Sequence, residues 1–540
     1  MSQSPLPPDF DPAAITEAQI TEIYNSFNPF RPLEPGDNFY VDCHAVRGND
    51  NIVRELGKKI ERSMESTCQL YTGHRGVGKS TELKRLKQYL EGKGCKVIYF
   101  ASDDDLDTED TQYMDILLAC VRHILEDLQK NADARPVVNW LKARWESLSD
   151  LALTEIRVED WTLETGIGQF ARLTATLRQV PGTRQKIREL IDIHSISLIE
   201  SLNQFIDEAK QKLRVERLVV MVDNLDRIAP VLQENGDTNH ETIFIDRSNQ
   251  LRGLNCHVIY TVPLPLIYSN KASTLRDTYG DFQVLPMIMV QDPTGQDFPD
   301  GLAKVQELIV RRVQPYIPAV NSPAALVGSI FESEAALRQL CVITGGHLRE
   351  VMQVMQVAMD LSDQFPLTLG TLRQALSRAR RVYRDTVDQE NWPKLAAVAK
   401  AKQLHNEEEY RQLLFSRCVL EYRYTDANGK EQRWHDVHPL LKDVPEFQQA
   451  KAKLQDIKSV STFDQDSPLL KVMNEAEQEY SQLVENKRYG EAAKIAKKIH
   501  DMWEEQVESM KHNPKSDDYI AAVAWSSYWH LRYNLYKARS

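Results

Sequence analysis

Gly73-His74-Arg75-Gly76-Val77-Gly78-Lys79-Ser80-Thr81 is the stretch on which the reading of this chain turns. Gly73, Gly76 and Gly78 let the backbone curl until successive N–H groups face one point, and a helix starting behind them adds its positive end. Such a loop cradles phosphate oxygens, with His74, Arg75, Val77 and Thr81 among the positions around the bound group. Lys79 would reach the β- and γ-phosphates, and Ser80 would place its hydroxyl on Mg²⁺. The flanks agree with this. Cys68 to Tyr71 is a short apolar run suited to a buried strand, and Leu83, Leu86 and Leu90 recur at helical spacing until Gly92 and Gly94 stop the helix.

A second element lies at Leu218-Val219-Val220-Met221-Val222-Asp223-Asn224-Leu225-Asp226-Arg227. Five successive apolar residues predict a strand buried on both faces, as in a parallel sheet. Asp223 ends that strand, where open α/β sheets bind ligands, and is the candidate to hold Mg²⁺ together with Ser80. A strand ending in Asp says little alone; with the phosphate loop it completes a nucleoside triphosphate site using ATP and Mg²⁺.

With these motifs the chain resembles the P-loop ATPases of the AAA+ superfamily, especially its signal-transducing branch (STAND) and origin-recognition-like relatives, over residues 36–445. In such relatives the position of Asn224 usually carries Glu, which polarises the attacking water. General-base catalysis contributes about 10²- to 10⁴-fold, so Asn224 implies slow hydrolysis unless Asp226 or another carboxylate substitutes. The resemblance also makes Thr261 a polar sensor of the γ-phosphate. Pro263 stands where many signal-transducing relatives carry Arg, which leaves Arg247, Arg252 and Arg276 as candidates for a γ-phosphate arginine. Arg349, behind Thr344-Gly345-Gly346-His347-Leu348, takes the place of a second sensor at the start of a lid helix. Val46 and Arg47 are the corresponding candidates for adenine contact; an ordinary helix entry reads equally well there.

Composition places the chain among soluble, multi-part proteins. Its 540 residues are 42% apolar and 27% charged, room for three or four domains with cores of their own. No run approaches the apolar length of a membrane span. The proline-rich, acidic start lacks a basic, then apolar, secretion pattern. Seven cysteines, Cys43, Cys68, Cys95, Cys120, Cys256, Cys341 and Cys418, are scattered without close pairs, an arrangement of reduced thiols that predicts a cytoplasmic protein. The net charge of −12 opposes indiscriminate attraction to nucleic acid. A local patch, Arg373, Arg378, Arg380, Arg381 and Arg384, reads first as a solvated helix face and second as a phosphate contact.

The expected fold class is α/β: a parallel five-stranded P-loop NTPase core with a helical insertion, a helical lid, a winged-helix domain and a helical C-terminal region. The boundaries are an N-terminal extension (1–35), the ATPase core (36–295, insertion 103–215), the lid (296–384), the winged helix (385–447) and the C-terminal domain (448–540). Further strands are expected at Lys96 to Phe100, Cys256 to Thr261 and Phe282 to Met289, and a helix from Val46 through Met64. Helices are also expected over Tyr113 to Leu128, Pro136 to Leu148 and Arg184 to Leu213. The winged-helix hairpin pairs Val419 to Tyr424 with Gln432 to Val437; its mixed charge favours a protein-facing role. His435 and His438 read as packing residues, since no further metal ligand accompanies them. The tail suggests a helical hairpin joined at Lys487-Arg488-Tyr489-Gly490, with Trp503, Trp525, Tyr528, Trp529, Tyr533 and Tyr536 forming a small core or a docking face.

The function expected from this pattern is a slowly hydrolysing ATP switch of STAND type that changes its contact with a partner protein or effector chain, and the resemblance carries an implied role in signalling or antiviral defence. A nucleotide-dependent oligomer is compatible with it, and no membrane is involved. The competing expectation is a DNA-binding ATPase resembling replication-initiation or transposition factors, and a third is a scaffold that hardly hydrolyses.

Overall fold

A computed structural model describes residue 11 and residues 15–48, 51–149, 162–233, 236–362, 364–404, 407–426, 428–456, 468–485, 488–511 and 517–537. The chain forms two compact units, one of residues 32–37 and 50–285, the other of 1–31, 38–49 and 286–540.

The first unit is built on five parallel strands, β1 (Cys68–Gly73), β2 (Lys96–Ala101), β3 (Leu218–Asp223), β4 (His257–Thr261) and β5 (Gln283–Leu285), in the order β2-β3-β4-β1-β5. β3 is buried along its whole length, as its unalternating apolar run requires. Each such side chain withdrawn from water contributes about 1.5–3 kcal/mol. The register sets Ala101 beside Asp223 and Tyr71 beside Thr261, so the carboxyl ends of β1 to β4 meet along one edge. β5 is shorter than the expected strand over Phe282 to Met289. Pro286 lacks the N–H that a ladder needs, and the amides beyond it bond elsewhere: Met287 to the Glu421 carbonyl and Met289 to that of Val46.

Between β2 and β3 the expected helical insertion is present, differently divided. Tyr113–Leu128 is one helix; Arg135–Lys142 and Trp145–Ser149 replace the single helix expected to Leu148, and Pro181–Asp192 and Ser195–Leu213 replace the one expected from Arg184. A further helix, Leu163–Gln179, is additional. Two buried arginines fasten this insertion to the turn behind β2. Arg184 pairs with Asp107 and Asp110, and Arg188 with Asp110 and Asp115. Only the Arg188–Asp115 pair is buried on both sides, and removing one partner there costs about 3–5 kcal/mol. The helix expected to open at Val46 starts later: His44–Val46 is a single 3₁₀ turn, and helical backbone resumes over Val53–Gly57 and Lys58–Arg62. Asn49 and Asp50 lie outside the described residues.

Among its described residues the second unit is helical apart from one hairpin and a few isolated bridges. Helices Pro299–Val313, Glu334–Ile343, Leu348–Asp360 and Leu369–Asp385 precede Trp392–Ala401 and Glu408–Phe415. The hairpin joins β6 (Val419–Thr425) to β7 (Glu431–Val437) as antiparallel partners, with Tyr422 stacked on Trp434 at 4.6 Å. His438 caps the helix after β7, its Nδ1 accepting the Leu440 amide, and stacks on Tyr383 at 4.3 Å; His435 is likewise buried. The tail is three helices, Pro468–Glu485, Tyr489–Met510 and Asp517–Lys537, where one hairpin was expected. Lys487, in the expected connection, lies outside the described residues, as does the side chain of Tyr536. Trp503, Trp525, Tyr528 and Trp529 are buried. Trp503 stacks on Trp525 at 6.2 Å, which makes this set a core between helices. All seven cysteines are free thiols, and no helix among the described residues is long and apolar enough to cross a membrane.

Candidate nucleotide site

β1 delivers the glycine loop to the carboxyl edge of the sheet. Gly73 has φ +149°, and a Cβ there would fall 2.4 Å from the Leu285 carbonyl oxygen on β5, so only glycine fits. Gly76 and Gly78 follow at φ +90° and +107°. Gly78 caps the helix Lys79–Gly92, which is anchored by buried Leu83, Leu86 and Leu90. Its amino end carries Lys79 and Ser80.

Lys79 is buried, and its ammonium is fully engaged. Nζ donates to the Gly73 and His74 carbonyls, each at 2.8 Å, and lies 3.0 Å from Asp226 Oδ2. Lys79 and Asp226 side chains are each 5% exposed. These acceptors are oxygens around a cation, the surroundings that phosphate would also provide. Ser80 hydrogen-bonds Asp223, and Tyr99 Oη of β2 donates to Asp223 Oδ2 at 2.7 Å. Burial pushes the Asp223 carboxyl above its usual range, against the hydrogen bonds from Ser80 and Tyr99. A hydroxyl and a carboxylate converging in a buried spot form an oxygen donor set of the kind Mg²⁺ takes, and the cation would supply the missing counter-charge.

Behind Asp223 the chain turns sharply. Asn224 is left-handed at φ +67°, a conformation Asn tolerates. Its amide donates to Asp223 Oδ1 at 2.8 Å, while its side-chain Nδ2 donates to Asp103 Oδ1 at 2.6 Å. Arg227 Nη1 donates to the other oxygen of Asp103 at 2.7 Å. Thr261, the expected sensor, has its hydroxyl within the sheet edge: it accepts the Leu225 amide at 3.0 Å and donates to the Val222 carbonyl at 3.3 Å. Thr81 Oγ1 accepts the amide of Leu33, and Lys84 pairs with Glu34, so residues 32–37 lie along the loop helix.

Lys79, Ser80, Asp223, Asn224, Asp226 and Thr261 therefore come together in one unit, while Val46, Arg47 and Arg349 belong to the other. Val46 and Arg47 are buried there. Arg349 stands in the first turn of its helix, its Nε donating to the Pro29 carbonyl at 3.2 Å and its guanidinium 5.7 Å from the centre of the Phe30 ring. The three arginines weighed for the γ-phosphate have other contacts: Arg247 with Asp192 and the Tyr113 ring, Arg252 with the Tyr279 ring, Arg276 with Asp281. Asp103, Tyr99 and Arg227 complete the edge and were not singled out in the sequence. Asp103 lies two residues beyond β2, and its carboxylate is the one that meets Asn224.

No family model matches the chain, and no curated protein is similar to it. Among solved structures it is similar to the ORC2 protein of Aeropyrum pernix in ADPNP–ADP complexes, with 10% identity over 81% of this chain and 98% of that one and a TM-score of 0.36. It is also similar to the ORC1 protein of Aeropyrum pernix in complex with DNA, with 11% identity, coverage of 81% and 97% and a TM-score of 0.33. Cdc6p from Pyrobaculum aerophilum follows, with 11% identity, coverage of 79% and 98% and a TM-score of 0.32. At these scores the likeness assigns no activity to the chain.

Proposed function

We propose that this chain binds Mg-ATP at the Gly73–Ser80 loop and hydrolyses it slowly, using the bound nucleotide to set the state of its helical unit. One observation carries the reading. A buried lysine follows three glycines with left-handed φ angles at the start of a helix, and the hydroxyl beside it hydrogen-bonds a buried aspartate at the end of β3. Lys79 would neutralise the β- and γ-phosphates, the loop amides would hold them, and Ser80 and Asp223 would hold the cation, which polarises the phosphoryl oxygens. Arg349 is the residue proposed to report the γ-phosphate, and Val46 and Arg47 those proposed for adenine. Equilibrium titration with a fluorescent ATP analogue tests the reading: binding should need Mg²⁺ and should weaken by about 100-fold in Lys79→Ala. Binding indifferent to both would overturn it.

A second reading, nucleic-acid contact, rests on the arginine helix Leu369–Asp385. Arg380 and Arg384 are spent within the chain, on Asp443 and Glu446. Arg373, Arg378 and Arg381 are exposed and remain available for phosphate. Duplex DNA titrated at several salt concentrations decides: tight, salt-steep binding lost in Arg373→Ala/Arg378→Ala/Arg381→Ala supports the second reading, and its absence leaves a protein partner.

A further inference from the structure

We infer that Asp103, at the end of β2, is the carboxylate that orients the attacking water in this site, doing from a neighbouring strand what Asn224 cannot do from its own. The inference rests on the proposed ATP hydrolysis and names the group that performs it.

Three carboxylates meet at the carboxyl edge of the sheet, and their surroundings separate them. Asp223 is 1% exposed and is bonded to Ser80, Tyr99 and the Asn224 amide. That is the place of a cation ligand. Asp226 is 5% exposed and occupied by the Lys79 ammonium, closed to an incoming water. Asp103 has a side chain 32% exposed, open to water. Both its oxygens are held from the inner side, one by Asn224 Nδ2 and one by Arg227 Nη1. Each carboxylate oxygen has a second lone pair, so both can still accept from water.

The left-handed backbone of Asn224 gives the clamp its meaning. The same residue donates its amide to the metal-site aspartate and its side chain to Asp103, so one turn couples the two carboxylates. An amide cannot take a proton, but it can hold a carboxylate that does. In the step assigned here, the water oxygen forms a bond to the γ-phosphorus while the bond from that phosphorus to the β–γ bridging oxygen breaks, its electron pair remaining on ADP. Asp103 accepts one proton of the water and passes it to the departing phosphate.

Asp103→Asn keeps the shape of the side chain. The pair it loses is part-exposed on both sides, so the variant should fold. In wild-type protein, Mg-ATP binding and turnover are measured first. Absence of binding removes the proposed function and this inference together; binding without turnover overturns the inference and the proposed hydrolysis but leaves the nucleotide-binding reading standing. Given turnover, Asp103→Asn should lower kcat by about 100-fold while its affinity for ATP stays within about twofold. After incubation and rapid desalting, the variant should carry unhydrolysed ATP where the wild type carries ADP. Adding Asn224→Glu to Asp103→Asn returns a carboxylate to the same place and should recover turnover. Wild-type kcat in Asp103→Asn, or loss of kcat only in Asp226→Asn, would overturn the assignment.

Discussion

Two glycine-bearing turns lead into helices in this protein, Gly73 to Ser80 in the sheet-bearing unit and Thr344 to Arg349 in the helical one, and their surroundings differ. At the first, positive φ angles bring together polar groups: the Lys79 ammonium, two carbonyls, Ser80 and two aspartates. At the second, Gly345 and Gly346 are also left-handed, at φ +62° and +73°, but apolar groups close over them. A Cβ on Gly345 would lie 2.9 Å from Leu420 and from Pro439, and the Gly345 carbonyl accepts the Tyr422 hydroxyl. A glycine turn before a helix thus marks close approach of something. Whether that is ligand or protein is decided by which side chains the rest of the fold delivers to it.

The largest effects should come from filling either turn. Gly346→Ala would put a Cβ 2.0 Å from the Ile288 carbonyl oxygen, and Gly73→Ala one 2.4 Å from that of Leu285. Each combines backbone strain with a clash against main chain, and each should cost more than about 3 kcal/mol in urea unfolding. Nucleotide binding separates them: Gly73→Ala should lose it, whereas Gly346→Ala, under conditions where it remains folded, should keep it. Equal loss in both would break the distinction between a ligand turn and a packing turn.

The Lys79–Asp226 pair gives the next effect. Lys79→Met leaves Asp226 buried without its cation, at a cost of about 3 kcal/mol or more. Lys79→Met/Asp226→Asn removes both charges and should regain most of that stability without regaining ATP binding. Thermal unfolding with and without Mg-ATP reads both quantities. Recovery of binding in the double variant would show that Lys79 serves packing, as the groups at Gly345 do.

How much of this was legible in the sequence follows from the range of each cue. The phosphate loop, β3 and the hairpin were readable because their signals are local: glycine spacing, an unbroken apolar run, two alternating stretches around Asp426 to Gly429. The strand expected to Met289 stops at Leu285, because Pro286 has no N–H for the ladder although the residues beyond it are apolar. In the insertion, apolar periodicity predicts one helix from Arg184 to Leu213, and the structure breaks it at Ile193 and His194, a break that periodicity does not register. Asp103 was out of reach for a different reason. Its partners Asn224 and Arg227 are more than a hundred residues away, and strand order is a property of the whole sheet.

A histidine behind the phosphate loop provides a smaller test. His257 opens β4, and its Nδ1 accepts the amide of Thr67, the residue before β1, at 3.2 Å. Burial, with Arg217 and Lys210 nearby, lowers its pKa from 6.5 to about 4. The unfolded chain therefore binds the extra proton between those values, so this contribution is complete above the unfolded pKa and is lost as pH falls through the window toward the folded one. Its size is on the order of 2–3 kcal/mol. His257→Asn keeps an acceptor for Thr67 but does not titrate, and should flatten the acid side of the stability curve. An unchanged acid slope would place the sensitivity of the first unit elsewhere.

Arg349 is where the comparison is finest, because it stands behind the packed turn yet is proposed to serve the ligand of the open one. Its contacts include a hydrogen bond to Pro29 and the face of Phe30. Losing them in Arg349→Ala should cost about 1–2 kcal/mol whatever its role. That number cannot distinguish the roles; the ratio of ATP to ADP affinity can. A ligand shifts an equilibrium only by its differential contacts, so a residue that reads the γ-phosphate must change that ratio. Arg349→Ala is expected to narrow the preference for ATP by about fivefold or more. If the ratio holds while stability falls, Arg349 is a packing residue of the Gly345–Gly346 turn, and the reporter of the γ-phosphate must be sought elsewhere, with Arg227, already bound to Asp103, the first to replace.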